Sequence, residues 1–134
     1  MKITFIDAGV LVTAARGMGD ISEKALEILA DSERDFASSV FIKLEVLPKA
    51  LYNRKTEEAD FYATFFSAVT YWASDLEKII QDAHNIGYQY GLAAMDALHV
   101  AAALSVGAGE LVTTEKPTKP MFRVTSIRVI SIFD

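Results

Sequence analysis

Cysteine is absent from this sequence of 134 residues, and histidine occurs twice. The lack of cysteine excludes disulfide bonds, thiol catalysis and cysteine-ligated zinc, and it is compatible with a reducing compartment. The chemistry of any functional site must therefore come from oxygen-bearing side chains and from imidazole.

An excess of positive charge is also absent, because 13 lysines and arginines stand against 18 aspartates and glutamates, giving a formal net charge of -5 at pH 7. The molecule as a whole does not attract nucleic acid, so binding of nucleic acid would have to be local or assisted by a metal ion. With 51% hydrophobic residues the chain is long enough to bury a core without cross-links, and we expect one globular domain over residues 1–134.

Long hydrophobic runs are missing too, since no segment reaches the roughly 20 apolar residues that a membrane-spanning helix needs. Lys2 and the apolar residues after it have the outline of a signal peptide. Asp7 interrupts that apolar stretch, and a carboxylate there costs about 3 kcal/mol on insertion scales. We therefore expect a cytoplasmic protein.

Short apolar and β-branched runs alternate with helical patterns along the chain. Ser39 is the expected cap of the second helix, Pro48 is expected to kink or end it, and Ser74 with Glu77 forms a capping box before the fourth helix. The alternation predicts an α/β fold with a parallel sheet covered on both faces, which binds ligands at the carboxyl ends of its strands. Strands are predicted at residues 2–6, 36–38, 68–72, 111–114 and 127–132. Helices are predicted from residue 20 or 22 to 29, over 40–47, from residue 56 onward, from the capping box at Ser74 to Gly91, and over 92–106.

Acidic residues occur at four points that such a sheet could bring together. Asp7 directly follows the first predicted strand, and Glu115 ends the fourth. Glu45 and Asp96 lie in otherwise apolar helices, where an ionised group is costly unless it is paired, capped or bound to metal. Because each comes from a different element, these carboxylates can converge, and hard oxygen ligands suit Mg²⁺ or Mn²⁺.

Each of these residues also has a structural explanation. Asp7 suits a helix cap or a turn, and Asp96 suits a helix cap. Glu45 suits the solvated edge of its helix, and Glu115 suits an ordinary loop. His99 is an alternative ligand, three residues after Asp96 on the same helical face, although a single histidine beside an apolar helix is more often a core residue.

At this point the sequence resembles a family, the PIN-domain ribonucleases, which include the toxins of VapC-type toxin–antitoxin pairs. The resemblance covers nearly the whole chain and depends on the order and spacing of several short motifs. These motifs are Phe5-Ile6-Asp7-Ala8-Gly9-Val10-Leu11, Ser38-Ser39 with Leu44-Glu45-Val46, Gly91-Leu92 with Asp96-Ala97-Leu98-His99 and Ala101-Ala102, and Leu111-Val112-Thr113-Thr114-Glu115-Lys116.

The resemblance implies a three-layer fold with strand order 3-2-1-4-5 and an endoribonuclease that depends on Mg²⁺ or Mn²⁺. It also implies a homodimer, an RNA substrate and a cognate antitoxin protein as partner. The aromatic richness of residues 61–72 exceeds what one helix and one strand need, and this also favours a dimer. Carried over onto matching positions, the metal-binding and catalytic residues are Asp7, Glu45, Asp96 and Glu115, with Thr113 or Thr114 as supporting hydroxyls.

Two positions depart from the family pattern. Gly9 stands where a polar residue is common, so one hydrogen bond beside Asp7 is expected to be missing. Glu115 stands where aspartate is usual, and its extra methylene shifts the carboxylate. Both departures favour an alternative interpretation, a PIN-like module that binds RNA or protein with weak or no activity.

Two further interpretations concern binding and fold. The cations near the second helix and the fourth strand are the candidates for RNA contacts, although a run of charge is more often a solvated face. A phospho-accepting receiver domain, with Asp75 and Thr113 as its key residues, is the rival fold, but Ser74 to Glu77 is better explained as a helix cap. The candidate cations are Lys43, Lys49, Arg54, Lys55, Lys116, Lys119 and Arg123.

Overall fold

A computed structural model of the protein describes residues 1–17 and 19–133. Strands and helices alternate through most of this range, as the sequence predicts. The strands are β1 (Lys2–Ile6), β2 (Arg34–Ser39), β3 (Tyr71–Ala73), β4 (Glu110–Thr113) and β5 (Arg128–Ser131). The helices are α1 (Ala8–Arg16), α2 (Gly19–Leu29), α3 (Val40–Tyr52), α4 (Thr56–Ala68), α5 (Leu76–Tyr90) and α6 (Ala94–Ser105), with a 3-10 turn at Pro120–Arg123.

The five strands form one sheet in the order β3-β2-β1-β4-β5, and all neighbouring pairs are parallel. This confirms the predicted order and the PIN-like α/β fold class. Side chains of successive strand residues point to opposite faces, so the burial of every residue of β4 shows that both faces of the sheet are covered. Phe5 and Ile6 of β1 pair with Leu111 and Val112 of β4, and all four side chains are fully buried.

The carboxyl ends of β1 and β4 are held together by the backbone. The Asp7 N–H donates a hydrogen bond of 2.9 Å to the Val112 carbonyl oxygen. The first helix begins at Ala8, immediately after β1, so Asp7 is both the end of a strand and the N-cap of α1. The chain therefore has no loop between β1 and α1, and the Asp7 carboxylate has a fixed position at this edge of the sheet.

The sequence did not predict α1. Gly9, Val10, Val12 and Thr13 all have poor helix propensity, and this made the segment look irregular. Val10 and Leu11 are fully buried, so packing against the core supplies the stability that propensity does not.

Several predicted boundaries differ from the structure, and three of them concern α3, β3 and α5. Pro48 does not end the second predicted helix, because α3 continues to Tyr52; the carbonyl that loses its partner is that of Leu44, which lies on the exposed side of the helix. The strand predicted at 68–72 is β3, three residues long, and Ala68 belongs to α4. The cap of α5 is Asp75 rather than Ser74, since the Asp75 carboxylate accepts the hydrogen bond from the Lys78 N–H.

The receiver-domain alternative is excluded by the sheet. In that fold the third strand lies inside the sheet, in the order 2-1-3-4-5, whereas β3 is an edge strand here. Asp75 serves as the cap of α5, so it lacks the position of a phosphorylated aspartate. Among the described residues, no helix is long and apolar enough to cross a membrane.

Candidate functional site

Asp7 is held from two sides at the carboxyl end of β1. Its Oδ1 accepts a 2.8 Å hydrogen bond from the Ala8 N–H, and its Oδ2 accepts a 2.7 Å hydrogen bond from the Thr113 hydroxyl. The Thr113 Oγ1 in turn accepts a 3.1 Å bond from the Glu115 N–H. The helix-cap explanation of Asp7 is therefore correct, and it is compatible with a functional role, because the cap also orients the carboxylate.

Asp96 lies in the first turn of α6, and it is not the helix cap. Ala93 occupies the N-cap position, and it makes no side-chain hydrogen bond there. Burial raises the pKa of the Asp96 carboxyl, and the negative charges of Asp7, Glu115 and Glu45 raise it further against the opposing effect of His99. Asp96 is thus within electrostatic reach of the other three acidic residues that the sequence singled out.

The electrostatics identify the kind of ligand that would suit this cluster. Like charges that raise a carboxyl pKa are relieved when a cation binds between them. Oxygen donors from aspartate and glutamate match the preference of Mg²⁺ and Mn²⁺, so the residues fit such an ion in chemical type. Within residues 1–17 and 19–133, however, no three acidic or histidine side chains are arranged to hold a metal ion together as they stand.

The contacts of Glu45 give one reason why the carboxylates in the described part of the chain do not already surround a cation position. Its Oε1 forms a hydrogen bond with the Nε2 of His99, and that same nitrogen lies 4.0 Å from the Asp7 Oδ1. The Glu45 side chain is 37% exposed, so it lies at a solvated edge, as one sequence explanation proposed, and still contacts a buried group. To bind a cation beside Asp7, the Glu45 carboxylate would have to break its hydrogen bond with His99 or contact His99 and the cation at the same time.

His99 is the residue that the sequence interpretation underrated. It is buried, as expected of a core histidine, but it contacts the acidic cluster through Nε2, while its Nδ1 has no hydrogen-bond partner among the described residues. The only sequence signal was its position one helical turn after Asp96. His84 lies on the exposed surface of α5 and takes no part in the cluster.

Gly9 has a steric explanation. A Cβ atom at this position would lie 2.2 Å from the Thr114 Oγ1, far inside contact distance. The Thr114 hydroxyl therefore occupies the space that a polar side chain at position 9 would fill. The hydroxyl that the structure shows bonded to Asp7 is that of Thr113.

No family model matches the sequence, and no curated protein matches it either. Solved structures do match. A chain of the toxin–antitoxin complex from Klebsiella pneumoniae superposes with a TM-score of 0.74 at 20% identity, covering 96% of this chain and 97% of that one. A chain of VapBC2 from Rickettsia felis, bound to a DNA fragment from their promoter, gives 0.71 at 20% identity over 96% and 98%.

A chain of the DNA-bound VapBC from Salmonella typhimurium matches at lower identity, with a TM-score of 0.70 at 13% identity, covering 98% of this chain and 99% of that one. At these identities the likeness concerns the backbone arrangement. Over nearly its whole length, this chain has the PIN-like fold found in VapBC toxin–antitoxin complexes.

Proposed function

We propose that this protein is a metal-dependent endoribonuclease of the PIN-domain kind, and that it is the toxin of a toxin–antitoxin pair. One observation carries the catalytic part of the proposal: four carboxylates lie near one site, since Asp96 is within electrostatic reach of the other three, and the His99 Nε2 that is bonded to Glu45 lies 4.0 Å from the Asp7 Oδ1. Burial raises the pKa of Asp96, and the charges of the other three carboxylates raise it further, a feature typical of sites that bind cations or move protons. These residues are Asp7, Glu45, Asp96 and Glu115.

In this mechanism a bound Mg²⁺ or Mn²⁺ would stabilise negative charge on the phosphoryl group and activate water for in-line attack. Asp7 provides a ligand whose direction is fixed by the Ala8 N–H and by Thr113. Asp96 would supply a second carboxylate from α6, and Glu45 a third from the partly exposed side of α3. Glu115, anchored through its backbone at Thr113, completes the set from the end of β4.

A PIN-like module without turnover is the second candidate. It is favoured by the absence, in the described part of the chain, of any three side chains already placed around a cation position. In such a module the Glu45–His99 contact would be a permanent structural link. RNA or a partner protein would then bind without being cleaved.

We expect the purified protein to cleave single-stranded RNA in millimolar Mn²⁺ or Mg²⁺ and to lose this activity in EDTA. The physical reason is that the carboxylate cluster lacks a Lewis acid of its own. Gel analysis of end-labelled RNA, with and without the chelator, measures the effect. RNA binding without cleavage at any metal concentration would favour the inactive module.

The partner expected of such a toxin is an antitoxin protein. Solved structures that share this fold include a toxin–antitoxin complex and VapBC complexes, and this supports the same arrangement for the present chain. The chain has a formal net charge of -5, so a bound antitoxin with basic side chains near the acidic cluster would be complementary in charge.

A homodimer, which the family resemblance implies, also remains a prediction, but its second reason, the aromatic richness of residues 61–72, was wrong. Tyr62, Phe65 and Phe66 are buried in the core of one chain, and Trp72 is the most exposed of the aromatics at 61–72, at 38%. Apolar exposure lies on α3 and around a 420 Å³ cavity between α5 and α6, where Ile80 is 57% exposed. The partly apolar surface around this cavity is the one on which we expect the two copies to meet.

We expect light scattering to give twice the 14.7 kDa mass of one chain at micromolar concentration. Ile80→Glu should shift the mass to that of one chain, because a charge cannot be buried in an apolar interface without a partner. Leu51→Glu is the matched control, since Leu51 is 60% exposed on α3. A parent protein of monomeric mass contradicts the prediction.

A further inference from the structure

A cavity of about 240 Å³ lies beside Glu45, between α1, α3 and α4. Glu45 forms part of its wall, so the cavity and the acidic cluster share one side chain. Its other walls combine an apolar floor with a charged rim. The lining residues are Val12, Arg16, Val46, Lys49, Ala50, Asn53, Lys55, Glu58 and Tyr62.

The charges on this rim do not cancel. Arg16 forms an ion pair with Glu58 at 3.2 Å, and Glu45 is bound to His99. Lys49 and Lys55 are exposed, and neither makes an ion pair with any described residue. The rim thus carries three cations, Arg16, Lys49 and Lys55, against two carboxylates, Glu45 and Glu58, a net charge of +1 in a protein whose net charge is -5.

The position of Lys49 relates the cavity to the carboxylates. Lys49 follows Glu45 by four residues on α3, so the two side chains lie on one face of the helix, separated by about 6 Å along its axis. That rise is comparable with the spacing between successive phosphates of an extended strand. A strand with one phosphate at the acidic cluster could therefore place its next phosphate near Lys49.

We propose that this cavity binds the RNA backbone next to the cleaved phosphodiester, with Lys49 and Lys55 contacting phosphate oxygens. The inference rests on the proposed function, because it takes the acidic cluster as the point of cleavage. Of the cations that the sequence suggested for RNA contacts, the structure places Lys49 and Lys55 at this cavity. Lys43 lies on the same helix but lines a separate cavity with Trp72, and Arg16 was not anticipated.

The test measures binding separately from cleavage. Anisotropy of a short fluorescein-labelled single-stranded RNA is recorded at several salt concentrations, with all variants in the Asp96→Asn background so that the RNA stays intact. Each phosphate contact to single-stranded nucleic acid contributes about 0.7 to the slope of log affinity against log salt. Lys49→Gln and Lys55→Gln should each reduce the slope by about 0.7, and the double variant by about 1.4.

Lys78→Gln is the matched control, since Lys78 is an exposed lysine on α5, away from the cavity and paired with Asp82. It loses the same charge and should keep the parent slope. Because Lys49 and Lys55 are exposed, their replacement should leave the melting curve unchanged, which checks the fold of each variant.

The outcomes separate this inference from the proposed function. If the slopes change as expected but the parent never cleaves RNA, the cavity assignment stands and the nuclease assignment fails. If the parent cleaves RNA while Lys49→Gln and Lys55→Gln match Lys78→Gln, the cavity assignment is overturned. It is also overturned if no RNA binds. If Lys49→Gln and Lys55→Gln keep RNA binding and lose only the binding of labelled polyglutamate, the cavity is assigned to an acidic protein partner and the assignment to RNA is overturned.

Discussion

Asp7→Asn is expected to lower the rate of metal-dependent RNA cleavage by about a thousandfold or more, because it removes a charged ligand from a site that acts as a unit. The substitution leaves the structure of the site nearly intact. Asparagine is as good an N-cap as aspartate, so the bond from the Ala8 N–H is retained, and its amide can still bond to the Thr113 hydroxyl. The charge is the property that changes.

The protein contains a close control for this experiment. Asp75 also caps a helix, since it accepts the Lys78 N–H at the start of α5, but it does not belong to the acidic cluster. Asp75→Asn makes the same chemical change at a second cap and should keep full activity. Equal losses in both variants would assign the effect to helix capping, and full activity of Asp7→Asn would remove Asp7 from the site.

Substitutions of the other three acidic residues should differ in how far they lower the rate of RNA cleavage. Glu45→Gln and Asp96→Asn are expected to abolish cleavage as Asp7→Asn does. Glu115→Gln should have a smaller effect, because its clearest described link to the site is the backbone bond to Thr113 and its carboxylate could act through water. Single-turnover cleavage rates measure this order, and a loss for Glu115→Gln as complete as for Asp96→Asn would show that it is a direct ligand.

Much of the architecture was predictable because strands and helices leave different patterns. The run at 2–6 matches β1 residue for residue, and the apolar segment at 92–106 contains the whole of α6. The order of the strands came from the family resemblance, since periodicity does not reveal which strands are neighbours. The first helix was missed because tertiary packing of Val10 and Leu11, rather than local propensity, determines it.

The candidate site was predictable in part for a geometric reason. Chain direction in a parallel sheet places the residues that follow β1 and β4 at one edge, and this predicted that Asp7 and Glu115 lie close together. Contacts between side chains far apart in sequence were beyond such an argument. The Thr113 to Asp7 bond spans 106 residues and the His99 to Glu45 bond spans 54, so the structure alone reveals them.

Asp96→Asn should make the metal-free protein melt at a higher temperature than the metal-free parent, although it abolishes activity. Burial and the charges of Asp7, Glu115 and Glu45 raise the pKa of Asp96, so its ionised form is less favourable in the folded state than in the unfolded state. The stability linked to this group is fully present below its ordinary pKa of 3.8 and is lost as pH rises through the higher folded value. At neutral pH the variant avoids that loss.

The size of the gain is limited because the Asp96 carboxyl is partly exposed and water screens its neighbours; we expect about 1 kcal/mol or less, or roughly 4 °C. The advantage of the variant should grow as pH rises from about 4 to 7, since only the parent carries the titrating carboxyl. Melting curves of both proteins at several pH values, without metal, measure this difference.

With metal bound, the parent should melt at a higher temperature than Asp96→Asn, the reverse of the order without metal. Mn²⁺ at a hundredfold excess over its Kd stabilises the parent by about 2.7 kcal/mol, roughly 10 °C, because it binds the folded state alone. The variant has lost one ligand and one negative charge, so its metal-induced rise should be much smaller. If Asp96 instead served only the first turn of α6, the variant would melt lower without metal and show the same Mn²⁺ shift as the parent. That pair of results would contradict the convergence of carboxylates on which the nuclease proposal depends.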